Sequence, residues 1–254
     1  MTAAPDLGTY SWVDRTGGQL STAERRSLLR PLAKAHAANA VGRLSMLARL
    51  NSGRHAQITS ARLTPPSSVL TRTAAEQARC RLSPALLNHS YRTFTFGAAL
   101  AELERITVDT ELLFAAALLH DTGLPSRDRN VDFTRGSARI ARDVAEEVGL
   151  STAATETIRT AITLHDSPNV TLAHGPVAYL LSAGAAVDVI GLRSWQLPPD
   201  LLAAAVETHP RLGFKREFSA AFRTEAAQVP RGRVQFLRRY GAFDLAIRLA
   251  PFRG

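Results

Sequence analysis

The sequence predicts an all-α protein on three observations. Ala and Leu dominate while β-branched stretches are scarce, apolar residues recur at helical spacing, and capping residues stand where those stripes begin. Hydrophobic residues make up 45% of 254, enough to bury a sizeable core in one large domain or one domain with an extension.

The elements follow in chain order. Residues 1–20 read as an extended, mobile arm with Trp12 as its anchor. Ser21-Thr22-Ala23-Glu24 is a capping box that opens a helix running to about Leu50, where Asn51-Ser52-Gly53 ends it. Residues 51–68 are polar, are broken by Pro65-Pro66 and read as a loop, with a short helix at 69–80. Ser83-Pro84 supplies the cap and first residue of a helix to about Ile106, whose inner face runs through Leu86, His89, Thr93, Phe96 and Leu100. The next helix spans 109–122, with Gly123 as its stop. A charged loop over 125–134 precedes helices at 135–148 and 151–165, and His165-Asp166-Ser167-Pro168-Asn169 forms a turn. A helix over 175–192 carries Val177, Leu181, Ala185, Asp188 and Leu192 on one face. Helices at 199–208, 214–227 and 231–249 complete the chain. No strand pattern and no internal repeat stand out.

Composition narrows the function classes. The single cysteine, Cys80, excludes an internal disulfide framework and a multi-cysteine zinc site, and is expected to pack as a small apolar residue. The first residues lack a basic-then-apolar leader, and Leu112–Leu119 is the longest apolar run, too short to cross a bilayer. A cytoplasmic protein with no membrane partner is expected. The net charge of +9 is unevenly spread: residues 1–80 carry 11 basic and 4 acidic side chains, residues 81–210 carry 10 and 15, and residues 211–254 carry 10 and 3. Lys34 and Lys215 are the only lysines, so the basic excess is arginine and reads as the coding bias of a GC-rich sequence. No basic stripe is interleaved with aromatics, so nucleic acid is not the expected partner.

Polar groups in apolar stripes carry the chemistry. His120-Asp121 ends the run Leu112–Leu119, while His89 and Asp188 lie within apolar faces of their own. One buried histidine is ordinarily a hydrogen-bonded core group, and one buried aspartate ordinarily caps or pairs. Four such residues on three helices are harder to accommodate, because isolated buried charges cost several kcal/mol each. A shared divalent ion would neutralise both carboxylates and orient both imidazoles.

The order His, His-Asp, Asp resembles the HD-domain superfamily of metal-dependent phosphohydrolases. The resemblance implies a helical bundle over 81–254, an N-terminal helical extension over 1–80, and His89, His120, Asp121 and Asp188 as the metal ligands. Asn88-His89-Ser90-Tyr91-Arg92-Thr93, Leu118-Leu119-His120-Asp121-Thr122-Gly123, Asp132-Phe133-Thr134-Arg135-Gly136, Gly184–Gly191 and Pro210–Lys215 look like the cyanamide hydratase-type branch. The pair His165-Asp166 lacks a comparable apolar lead-in and ranks second.

Two imidazoles and two carboxylates suit Zn, Fe, Mn or Ni without choosing among them. Such an ion lets water lose a proton near neutral pH. The expected activity is hydrolysis or hydration of a small molecule. A nucleotide or phosphoester hydrolase and a dinuclear iron oxygenase are the alternatives. Asp121, His165 and Arg92 are the candidate catalytic residues, and Arg92, Thr134, His174 and Lys215 are candidates for substrate contact. His165 and His174 are only nine residues apart across a proline-containing turn, which favours one metal over two. His36, His55 and His209 read as ordinary. The partner class is a small-molecule substrate, with room for a homo-oligomer.

Overall fold

The computed structural model describes residues 6–59, 63–125 and 130–253. Parts of the expected arm, the 51–68 loop and the 125–134 loop therefore lie outside the described residues. The described chain forms twelve α-helices and no β-strand. They are α1 Tyr10–Thr16, α2 Thr22–Leu47, α3 Val69–Arg81, α4 Pro84–Leu103, α5 Thr110–Leu119, α6 Phe133–Glu147, α7 Thr152–Leu164, α8 Pro176–Ile190, α9 Pro199–Thr208, α10 Phe214–Gln228, α11 Arg233–Tyr240 and α12 Phe243–Leu249. No described helix is long and apolar enough to cross a membrane.

The centre is the antiparallel pair α4 and α8. A Cβ on Gly184 would lie 2.2 Å from the Thr93 carbonyl oxygen, and one on Gly97 would lie 2.9 Å from that of Leu180. Only residues without side chains let two backbones approach this closely. The crossing sets His89, one turn before Thr93, opposite Asp188, one turn after Gly184. Helices α5 and α7 pack against this pair and each other. Leu113–Leu119 of α5 are all buried, so its polar C-terminal residues emerge inside the bundle.

Several expectations need correction. The arm is not extended at residues 10–16: Thr9 caps α1, and the helix buries Trp12 and Val13. Leu7, Trp12, Val13, Leu20, Leu28 and Leu32 share a small second core with Phe236 and Leu237 of α11. Leu70, Ala74 and Ala78 of α3 join the main core, which is how the first 80 residues, expected to pack on the core, meet it. The last predicted helix is two, broken at Gly241 and Ala242, where Ala242 takes a left-handed φ of 43°. Gly123 does not stop α5, which ends at Leu119. A Cβ there would lie 2.2 Å from the Phe133 carbonyl oxygen, so this glycine admits the start of α6. Cys80 is exposed rather than packed.

Candidate metal centre

His120 is the first residue beyond α5, where helix carbonyls lack intrahelical partners. Its Nδ1 donates to the Ala117 carbonyl oxygen at 2.7 Å, which leaves Nε2 as the lone-pair nitrogen. His89 reaches the same state differently: its Nδ1 donates to Asp188 Oδ2 at 2.7 Å. The two Nε2 atoms face each other at 3.3 Å. Two lone pairs so placed repel unless a proton or a cation lies between them.

Asp121 completes the cluster. Its Oδ2 lies 3.3 Å from His120 Nε2 and 3.6 Å from His89 Nε2. Both carboxylate oxygens are buried without a hydrogen-bond partner among the described residues. An orphaned buried carboxylate facing two imidazole lone pairs fits a divalent cation. Donor atoms of His89, His120 and Asp121 all lie within 4.8 Å of one another.

The second His-Asp pair uses the same local device as the first. His165 follows α7, and its Nδ1 donates to the Ile162 carbonyl oxygen at 2.7 Å. Its ring stands edge-on to His120 with centroids 4.8 Å apart, and its Nε2 is 3.8 Å from Asp121 Oδ1. The two pairs therefore meet, although only the first has an unbroken apolar lead-in. Asp166 turns the other way, to Arg233 at 2.8 Å.

The field at the site follows from these neighbours. Burial would raise the Asp121 carboxyl, but His120, then His89 and His165, hold it well below the usual carboxylate range. Burial opposes charge on His120, yet the adjoining Asp121 overcomes this and raises its pKa. Burial lowers His89 despite Asp188. Burial, reinforced by His120, pushes His165 down to about 3, so it is neutral at ordinary pH.

Asp188, expected as the fourth ligand, stands against His89 and two arginines here. It lies behind His89, on the Nδ1 side of the ring, away from the two facing Nε2 atoms. Arg92 grips it with Nε and Nη2, each at 2.8 Å, and Arg211 donates to Oδ1 at 2.6 Å. Its oxygens are thereby engaged, and these partners hold its pKa far down against burial.

The expected substrate contacts also move. Arg92 is buried on Asp188 and the His209 carbonyl oxygen, so it does not line the cavity. Thr134, in the first turn of α6, donates its hydroxyl to the capping Asp132 and accepts from Arg233, so it is buried off the described cavity lining. His174 bonds within its own short turn to Thr171, remote from the cavity wall. Lys215 is occupied by the carbonyl oxygens of Arg248 and Ala250 at the C-terminal end of α12.

Above the cluster opens a cavity of about 470 Å³. His89, His120, Asp121 and His165 form its floor, and α2, α8 and α10 supply its walls. Phe214 stacks on His89 at 4.7 Å, and Phe218 and Phe222 line the cavity. These rings went unremarked in the sequence, although Phe214, Phe218 and Phe222 recur every four residues. Arg193 is the one cation among the described lining residues, and Glu104, Tyr179 and Gln196 hold it.

Residues 86–132 match the family model of the HD domain. The chain is similar to two curated proteins of Saccharomyces cerevisiae, cyanamide hydratase DDI2 and cyanamide hydratase DDI3. Each is 26% identical over a region covering 68% of this chain and 80% of the relative.

Proposed function

We propose that the chain, a cyanamide hydratase-like member of the HD-domain superfamily, is a metal-dependent enzyme adding water to a small nitrile-type molecule. One observation carries the proposal: three donors with no other partner converge on the floor of an apolar cavity whose one described cation is already paired.

His89, His120 and Asp121 would hold one divalent ion, and Asp188 would keep the His89 ring oriented. Carboxylate–histidine pairs of this kind fix tautomer and ring direction at metal sites. The ion, when bound, supplies the acidity that makes water a nucleophile near neutral pH. His165, with its Nε2 3.8 Å from Asp121 Oδ1, stands where it would relay the proton that the attacking water releases. In hydration a carbon–oxygen bond forms at the nitrile carbon and one carbon–nitrogen π bond is lost. The nitrogen gains the proton that His165 returns, and tautomerisation gives the amide. Phe214 and Phe218 keep bulk water from the site.

Phosphoester hydrolysis is the second reading. It calls for cationic side chains free to meet phosphate oxygens, and the described arginines nearest the site are bound to Asp188, Asp132 and Asp166. A dinuclear site would need His174 as well as His165 turned inward, and His174 is not among the described lining residues.

The test is to load the purified protein with Zn, Fe or Mn and assay cyanamide, a nucleotide and a phosphodiester side by side. Metal-dependent formation of urea from cyanamide supports hydration. Phosphate release from the other substrates alone refutes it.

A further inference from the structure

The cavity is large for the substrate that the relatives' names print. Its volume of about 470 Å³ falls within the ~300–1,000 Å³ that pockets for drug-sized ligands occupy. Cyanamide, the size of a water molecule or two at about 30 Å³ each, would fill roughly a tenth of it.

The lining is chiefly apolar. Phe218 and Phe222 stand near the metal floor, with ring centroids 4.1 Å apart. Ala186 and Val189 of α8 form one side, and Leu32 and Ala35 of α2 form the opposite one. Small residues at Ala35 and Ala186 leave space that a larger side chain would close. Among the polar lining groups, Tyr179 and Arg193 are already bound to Glu104, Ser182 donates to the His165 carbonyl oxygen, and His36 and Asn39 stand on α2. Such a site offers burial to an uncharged body and no unpaired described cation to an anionic one.

Resting on the hydration reading, we propose that the substrate is a bulky, uncharged, chiefly apolar nitrile. Its nitrile carbon reaches the His89–His120–Asp121 floor, and its body lies between α2, α8 and α10. On this account α2, through Leu32 and Ala35, is part of the substrate site.

The experiment compares 2-naphthonitrile with cyanamide on the metal-loaded protein, by calorimetric binding and by amide formation. The expected result is a kcat/KM about a hundredfold higher for 2-naphthonitrile, as small changes of apolar fit in a pocket give ~10–200-fold effects. The variants Ala35→Phe and Ala186→Phe, on separate helices, should each weaken 2-naphthonitrile binding about tenfold or more while metal content is retained. If both variants bind it as wild type does, or if wild type turns over cyanamide but does not bind 2-naphthonitrile, the cavity assignment is overturned and hydration stands. Binding that both variants weaken, without turnover of either nitrile, supports the cavity assignment and refutes hydration.

Discussion

Asp188 Oδ2 accepts a 2.7 Å hydrogen bond from His89 Nδ1, and this contact aims the other nitrogen of the ring at His120. The aspartate therefore acts through the histidine. Its oxygens also pair with both Arg92 and Arg211, so three buried charged groups meet at one carboxylate.

The role of Asp188 separates from that of Asp121 by substitution. Asp188→Asn should weaken metal affinity about 10–100-fold, the usual cost of losing a carboxylate behind a ligating histidine. It should also lower stability by about 3–5 kcal/mol, because Arg92 and Arg211 stay buried with their counter-charge gone. Metal titration and urea unfolding measure the two effects. Complete loss of metal in a folded Asp188→Asn protein would return Asp188 to the ligand set.

His165 is expected to move protons without holding the ion. His165→Gln should lower kcat about 10²–10⁴-fold and leave metal stoichiometry unchanged. Elemental analysis paired with steady-state kinetics reads both quantities together.

The α4–α8 crossing is expected to be intolerant of one methyl group. Gly184→Ala places a carbon against the Thr93 carbonyl oxygen and forces the helices apart. A stability loss of about 1–3 kcal/mol follows from overpacking of this kind. Metal affinity should fall with it, because His89 and Asp188 are carried on the two separated helices. Denaturant midpoints and metal titration of the variant check both.

Glu225 gives the stability a definite pH slope. Burial, then the charge of Asp132, raises its carboxyl to about 8. In the unfolded chain the same carboxyl ionises near its ordinary value of 4.5. The folded state therefore holds an extra proton between those values, and stability from this group declines as pH rises through about 8. Glu225→Gln should flatten the decline and be relatively more stable at pH 9 than at pH 5. Thermal melts across that range test the sign.

The helices were legible in the sequence because caps and apolar stripes coincide. Ser21, Ser83, Asp109 and Ser151 cap helices with their side chains, within a residue or two of the expected starts. The candidate cluster was legible for a related reason: His89, His120 and Asp121 interrupt stripes that are otherwise buried. Facing direction was not legible. Asp188 and Arg92 lie on buried faces as expected, yet which partner each meets depends on how α4 and α8 cross. His165 was undervalued because its α7 lead-in mixes threonines with the buried Ile158, Ala161, Ile162 and Leu164. The helix at residues 10–16 was missed because it is short and packs on distant α6 and α7.

The central claim is that His89, His120 and Asp121 together hold one divalent ion. Elemental analysis of wild type, His120→Ala and Asp121→Ala, each shown to be folded by circular dichroism, tests it most directly. The account predicts one ion per chain in the wild type and essentially none in either variant. Full metal stoichiometry in a folded His120→Ala protein would contradict it.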